Sequence, residues 1–535
     1  MHDPKAVMRS LPLVASVLGR KYGVRVEIGG TSAYTDGKAI HLPSLPLDAP
    51  ETLINLARGF IDHESAHLRE TDFEALKQAG LTPLETFIWN SIEDHRVEHR
   101  LAAVFPGCRR NFNWLIEHIF GGEKSAGAVT NPALLVLNWL LLTVRAWDAP
   151  VLAAQRDDLA GQMDHCFPGL RLRMESILSA VRAGCGSTQD AIEYARQLAA
   201  LLAQESRRPA QTTQPTQTAR PDNLGQAEDS NQDGGEPDPD KARKCLGDLL
   251  QAQADCLPQE LDAILAQALE QMTPGDPDQR LTVASPRPKQ AFPLSPDELA
   301  KVRKASTALT TRLHGLLQTT TLTRGHTGRT GRLDTRRLYR AATADPRMFR
   351  RQGERQGIDT AAHILLDCSA SMAQRLELAC QACFAVAKAL EACAVNVALT
   401  TFPATFSQDD PAKQGSWASV GQLIRHGERV HERVVVRPGG STPMGEALWW
   451  VLQGMLPLPE KRKLILIVTD GEPDSVPCMQ DAARQAEQLG LEVYGIGIGA
   501  TIIESLLPGR AKSITSLGDL TPAMFEMLQG ALMRR

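Results

Sequence analysis

The tightest constraint on this 535-residue chain is the run His363-Ile364-Leu365-Leu366-Asp367-Cys368-Ser369-Ala370-Ser371-Met372. An apolar stretch breaks into Asp-x-Ser-x-Ser and then enters a helical pattern. A continuous apolar run that withholds its polar residues until the end reads as a parallel strand buried on both faces. In open α/β sheets, ligands bind beyond the carboxyl ends of such strands, where strand order reverses. One carboxylate and two hydroxyls at that edge suit a hard cation liganded by oxygen. Two further pieces follow. Gly440-Ser441-Thr442-Pro443 opens a helix, and Leu464-Ile465-Leu466-Ile467-Val468-Thr469-Asp470-Gly471 ends a second apolar run.

After Asp359, strand and helix patterns alternate to the end of the chain. Strands are predicted near 362–367, 395–402, 432–436, 463–469, 491–497 and 512–516, with helices over 373–392, 443–455, 477–489 and 519–533. Alternation of this kind implies a largely parallel, doubly wound α/β sheet with helices on both faces. With the three polar pieces in this order, residues 358–535 resemble the von Willebrand factor A (VWA) domains and their metal-ion-dependent adhesion site (MIDAS). The resemblance implies that Ser369 and Ser371 bind Mg²⁺ directly. Thr442 then binds directly or through water, and Asp367 and Asp470 act mostly through water. It also implies that an Asp or Glu of a partner protein completes the coordination, at a rim formed by Thr442 to Gly445 and Gly471 to Asp474. Cys380 and Cys383 share a face of the following helix, where packing is the favoured reading over redox or zinc chemistry.

The N-terminal part is patterned differently. Residues 5–20 read as an amphipathic helix and Val24 to Ile28 as a strand. Asp36-Gly37 is a hairpin signal within a small antiparallel sheet. A helix opening at Asp48, Pro50 and Glu51 then carries His63-Glu64-Ser65-Ala66-His67. Positions four apart share a helix face, so His63 and His67 can hold one Zn²⁺ with Glu64 beside them as a base that takes a proton from water. The next helix has a start signal at Thr82-Pro83-Leu84-Glu85 and contains Glu93-Asp94-His95-Arg96-Val97-Glu98-His99. Packed antiparallel, it would return this polar cluster across the histidines. The arrangement resembles the gluzincin metallopeptidases, which implies a third zinc ligand from the second helix. Glu93 is the first choice and Asp94 the second, with His95 or His99 behind them. Val97 stands where a gluzincin has a carboxylate four residues after its ligand, whereas Asp94 with Glu98 would preserve that spacing. The metal-free alternative is a salt-bridged or solvated polar face. Residues 109–204 read as helices, with Trp114, Trp139 and Trp147 as core.

The expected organisation is therefore multidomain. Residues 1–205 form a mainly α, zincin-like domain with a small sheet. A polar and acidic linker over 206–240 is too poor in apolar residues to offset its ordering entropy. Residues 241–357 make a helical and basic connecting region, with one helix over 241–272 and another opened by the capping box Ser295-Pro296-Asp297-Glu298. Residues 358–535 form the VWA domain. Within the connecting region, Arg324 to Arg351 is strongly basic and reads as a solvated or carboxylate-paired hairpin, or as a dock for an acidic partner.

This order of parts resembles the CobT-type subunit of aerobic cobaltochelatase. The local matches are Glu93 to Glu98, Gly331-Arg332-Leu333-Asp334 and Leu365 to Met372. The resemblance implies an AAA+ ATPase partner of the MoxR or CobS type, since the chain has no phosphate-binding loop of its own. The intact His63-Glu64-Ser65-Ala66-His67 is not something metal insertion requires. Three functions follow: a VWA docking protein with a zinc metallopeptidase domain acting on a protein substrate, a non-catalytic CobT-like subunit or assembly adaptor, or a bare interaction scaffold with a degenerate N-terminal site. A net charge of −4 gives no general reason to expect nucleic acid. Ala133 to Val144 is too short to span a membrane. Ten scattered cysteines and the lack of a signal-like start fit a reducing cytoplasm.

Overall fold

The computed structural model describes residues 10–121, 131–208, 239–318, 327–328, 332–333, 349–350, 359–404 and 418–533. Most of the expected linker and most of the arginine-rich segment lie outside the described residues. The paired strands Thr327–Gly328, Arg332–Leu333 and Phe349–Arg350 belong to the latter.

The N-terminal region is mainly helical. Helix α1 (Leu11–Tyr22) leads into strand β1 (Arg25–Ile28), then β2 (Tyr34–Thr35) and β3 (Ala39–Leu42). The Asp-Gly turn forms as expected: the Asp36 carboxylate accepts from the backbone N–H groups of Lys38 and Ala39, and Gly37 takes a φ of +80°. β2 and β3 pair antiparallel, but β1 joins the other side of β3 in parallel, so this sheet is mixed. Helix α2 (Glu51–Glu70) carries the two histidines. Helix α3 (Pro83–Val104) starts at the expected capping box, Thr82 and Glu85 bonding each other's backbone N–H, and it packs against α2. Helices α4 (Pro132–Arg145) and α5 (Thr188–Ser206) pack on α3 around a core that includes Trp139, Phe167 and Leu198.

The stretch expected as a single helix over 241–272 is two helices, Pro239–Leu249 and α6 (Leu261–Gln271). Pro258, with no N–H to give, lies in the break. α6 packs on α2 through Leu261, Leu265 and Leu269. Strand β4 (Ser285–Pro286) adds to the edge of the large sheet, and α7 (Pro296–Gln318) begins at its own capping box, Ser295 with Glu298.

The C-terminal sheet contains β5 (Thr360–Asp367), β6 (Asn396–Phe402), β7 (Ser419–Ile424), β8 (Arg462–Thr469), β9 (Glu492–Ile498) and β10 (Ala511–Ile514). With β4 it has seven strands, in the order β10-β9-β8-β5-β6-β7-β4, parallel except where β7 meets β6. β7 was not legible in sequence. The segment expected near 432–436 forms strand Arg433–Val435, which pairs with Phe292–Pro293 and not with this sheet. At Gly421 in β7 a Cβ would meet Lys289 Cβ at 2.5 Å and Thr401 Oγ1 at 2.9 Å, a close approach that a strand-favouring residue would block.

Every residue of β5 is buried, and its side chains alternate between two cores. Ile364 and Leu366 join Phe384 and Val386 of α8 (Leu376–Ala392). Ala361 and Leu365 join a core shared by Met444 and Trp449 of α9 (Met444–Met455), Leu13 of α1, Phe60 of α2 and Leu265 of α6. Gln453 Nε2 of α9 donates to Pro12 O at 2.9 Å. The histidine-bearing helix and the large sheet thus drain into one hydrophobic core.

Candidate functional site

On α2, His63 and His67 lie one helical turn apart, ring centroids 4.9 Å apart, and Asp94 of α3 completes a cluster whose ligand atoms lie within 4.8 Å of one another. His67 Nε2 is 3.0 Å from Asp94 Oδ1. Each imidazole is braced through Nδ1. His63 Nδ1 donates to Glu98 Oε1 at 2.8 Å. His67 Nδ1 donates to Thr71 Oγ1 at 3.1 Å, and Thr71 Oγ1 donates to Glu93 Oε1 at 3.0 Å. With both Nδ1 atoms occupied, Nε2 is the nitrogen each ring offers to an ion, the arrangement that outer hydrogen bonds impose on metal-ligating histidines.

Glu93, the first choice from sequence, therefore stands one step behind the cluster. Arg96 Nε holds its Oε2 at 2.8 Å, Arg96 Nη2 its Oε1 at 2.6 Å, and Thr188 Oγ1 donates to it at 2.9 Å. One residue along a helix is a rotation of about 100°, which turns Asp94 to the histidines and Glu93 to Arg96. Asp94 and Glu98, four apart, share the face that meets α2. Glu64 is half-buried and accepts from Thr35 Oγ1 at 2.7 Å. His95 pairs with Asp148 at 2.7 Å, away from the cluster.

Sequence gave no signal for Arg145, at the last turn of α4. Its guanidinium is fully buried, bonds Asp94 Oδ2, and contacts both oxygens of Glu98 at 3.1 and 3.0 Å. Burial opposes ionisation of Asp94, but Arg145 and the His67 hydrogen bond outweigh it and hold the carboxyl at about 2. Burial likewise opposes the charge on Glu98, and Arg145 again wins, so that carboxyl also sits low. Burial would lower His63, yet its bond to Glu98 and the charges of Asp94, Glu98 and Glu64 raise it to about 9. Asp94 and Glu98 thus stay ionised beside the histidines, with Arg145 offsetting part of their charge. Two imidazole nitrogens and one carboxylate oxygen fit the donor set of a zinc-type ion.

The second centre lies at the carboxyl ends of β5 and β8, adjacent strands where the strand order reverses. Asp367 is buried at the end of β5; its Oδ1 accepts from Ser369 N at 2.7 Å and its Oδ2 from Thr469 Oγ1 at 2.5 Å. Ser369 Oγ and Ser371 Oγ are 2.9 Å apart, and Ser371 Oγ donates to Asp470 Oδ1 at 2.8 Å. These are O–H···O hydrogen bonds, and adjacent corners of an octahedron with ~2.0–2.1 Å bonds are about 2.9 Å apart, so the same oxygens could take Mg²⁺ with little movement. Gly471 forms one wall: a Cβ there would lie 3.4 Å from Ser371 Oγ and 3.8 Å from Thr442 Oγ1. Asp474 Oδ1 accepts from Thr442 N at 2.9 Å and fixes that loop. The structure thus brings together Asp367, Ser369, Ser371, Thr442 and Asp470, from three separate segments. Burial pushes the Asp367 carboxyl up to about 6, against the bonds from Thr469 and Ser369. Arg375, absent from the sequence-based set, bonds Asp470 Oδ2 through Nη1 at 2.8 Å.

This sheet and the polar edge it carries define a VWA-type domain, and residues 363–513 match the family model of the von Willebrand factor type A domain. Residues 5–255 match the model of the cobalamin biosynthesis protein CobT family. The chain therefore carries a CobT family domain followed by a VWA domain. Against curated proteins it has no significant match. Among solved structures it resembles proximal thread matrix protein 1 of the mussel byssus at 17% identity, over 32% of this chain and 48% of that one, with a TM-score of 0.26. It also resembles the manganese-loaded Plasmodium vivax TRAP protein at 15% identity, over 31% and 72%, with a TM-score of 0.24. The SpaC pilus adhesin of Lactobacillus rhamnosus GG gives 15% identity, over 33% and 30%, with a TM-score of 0.27. Among the described residues no helix is long and apolar enough to cross a membrane.

Proposed function

We propose that this chain is a docking subunit of an ATPase-driven complex, in which the VWA edge takes an acidic side chain of a partner protein through Mg²⁺. The observation that carries the reading is the convergence of Ser369, Ser371 and Asp470 oxygens at octahedral spacing, with Asp367 and Thr442 around them. Two of the direct donors are neutral hydroxyls, so a bound cation keeps charge to share with an incoming carboxylate. The CobT family match supports an AAA+ ATPase of the MoxR or CobS type as the partner. Purified ATPase should co-elute with the full chain in Mg²⁺ and separate in EDTA or with Asp367→Ala. Association indifferent to both would overturn the docking reading.

The helix-borne cluster supports a second role, as a zinc-dependent hydrolytic centre acting on a peptide. An ion held by His63, His67 and Asp94 would supply Lewis acidity there. Glu64, next to His63 in the helix and bonded by Thr35, would accept the proton given up by water. Glu98, and Glu93 through Thr71, keep the two rings aligned. Glu64→Gln should retain zinc and abolish hydrolysis; cleavage that survives would remove Glu64 from the chemistry. One observation favours a non-catalytic CobT-like subunit instead. Arg145 locks Asp94 and Glu98 into a buried ion network, a rigid setting of the kind that suits a structural zinc.

A further inference from the structure

Arg375 is the cation of the VWA edge that no sequence pattern pointed to, and its placement is unusual for a surface salt bridge. Such pairs are usually worth little, because both partners are solvated and mobile. Here the Asp470 side chain is 0% exposed, with one oxygen bonded by Ser371 and the other by Arg375, whereas the Arg375 side chain remains 42% exposed. The backbone of Arg375 is fixed where the turn Ala370–Gln374 passes into α8, its N–H donating to Met372 O at 2.8 Å. Gly499, just past β9, leaves room for the guanidinium: a Cβ there would come 3.1 Å from Arg375 Nε. The guanidinium is thus held by Asp470, whose other oxygen takes the Ser371 hydroxyl, and the Arg375 side chain stays partly open to solvent. A guanidinium has five N–H donors in a planar fork, which matches a carboxylate.

We propose that Arg375 is the second half of the carboxylate receptor: a partner's Asp or Glu is gripped by the cation and by the exposed edge of the Arg375 guanidinium together. This rests on the MIDAS reading above and deepens it. The geometry has two opposed consequences. The positive charge of Arg375 beside Asp470 weakens attraction for the metal cation, and the same charge strengthens attraction for the incoming carboxylate. A residue that merely braced Asp470 would move both affinities in one direction.

The test uses the full chain with saturating Zn²⁺, Mn²⁺ as the spectroscopic cation and N-acetyl-aspartate amide as the carboxylate probe. Free Mn²⁺ is read by electron paramagnetic resonance. Relative to wild type, Arg375→Gln should bind Mn²⁺ roughly three- to tenfold more tightly. It should bind the probe to the loaded site at least about tenfold more weakly. Arg375→Lys, which keeps the charge but not the fork, should restore the Mn²⁺ affinity and only part of the probe affinity. Unchanged probe affinity in Arg375→Gln, or parallel weakening of Mn²⁺ and probe, overturns this inference while leaving the MIDAS intact. Failure of the wild type to bind Mn²⁺, in line with Asp470→Asn, overturns the docking reading and this inference with it.

Discussion

The two centres use the same kind of residue in opposite electrostatic settings. Asp94 and Asp367 are both fully buried carboxyls at the heart of a candidate metal site, yet one is held at about 2 and the other pushed up to about 6. The difference is a buried arginine. Arg145 lies within the N-terminal cluster and neutralises Asp94 and Glu98, whereas Asp367 has only hydroxyl and backbone donors. Glu446 in the first turn of α9 shows the same lack: burial lifts it to about 7. A compensated site keeps its charges through acid; an uncompensated one strains against ionisation until a cation arrives.

Breaking the compensation should have the largest effect. Arg145→Met strands two buried carboxylates, and the chain should lose about 3–5 kcal/mol of stability in denaturant titrations at pH 7. A loss under 1 kcal/mol would mean that Arg145 does not compensate the site.

The pH slopes sharpen the contrast. Glu446 has a folded pKa near 7 against an unfolded value of about 4.3. Its contribution is therefore fully present below pH 4 and is lost as pH rises through 7. Glu446→Gln should gain at most about 4 kcal/mol over wild type at pH 8 and almost nothing at pH 4. For Asp94, with its folded pKa depressed to about 2, the sign reverses: its contribution is present above about pH 4 and is lost as pH falls toward 2.

A smaller effect separates the braces from the ligands. Glu98→Gln should weaken zinc binding about 10- to 100-fold, because it loosens the His63 ring without removing a ligand; competition against a chromogenic chelator would report this, and an unchanged affinity would dismiss the brace. The smallest change is expected from Thr35→Val, which frees Glu64 at a cost of about 1 kcal/mol and leaves zinc binding as it was.

How legible each region was follows from where its information lies. The candidate donors of the C-terminal edge could be picked out because they sit at the ends of apolar runs, and an unbroken apolar pattern locates a strand end to within a residue or two. The strand at Ser419–Ile424 was missed because Gly421 and Gln422 interrupt that pattern; pairing with β6 and β4 defines it, and the close approach of Lys289 explains the glycine. On the helices, His63 and His67 were plain from their spacing. Choosing between Glu93 and Asp94 needed the rotation of α3 about its axis, which a single helical turn of polar residues does not specify. The spacing Asp94 to Glu98 did carry the information, one turn apart like the histidines they face. Arg145 and Arg375 were invisible because each acts across the fold, 51 and 95 residues from the carboxylate it holds. The shared core of α1, α2, α6 and α9 was hidden for the same reason, since apolar stripes say that a face is covered and not by what.

Two chemically distinct cation sites in one chain is the claim on which the rest depends. Equilibrium dialysis of the full chain against Zn²⁺ and Mn²⁺ together, followed by elemental analysis, tests it directly, because zinc outcompetes manganese for nitrogen donors and the oxygen site remains for manganese. One zinc and one manganese per chain are expected, with zinc alone lost in Asp94→Asn, manganese alone lost in Asp470→Asn, and both kept in Glu93→Gln. Zinc retained in Asp94→Asn but lost in Glu93→Gln, or no manganese in the wild type, would contradict it.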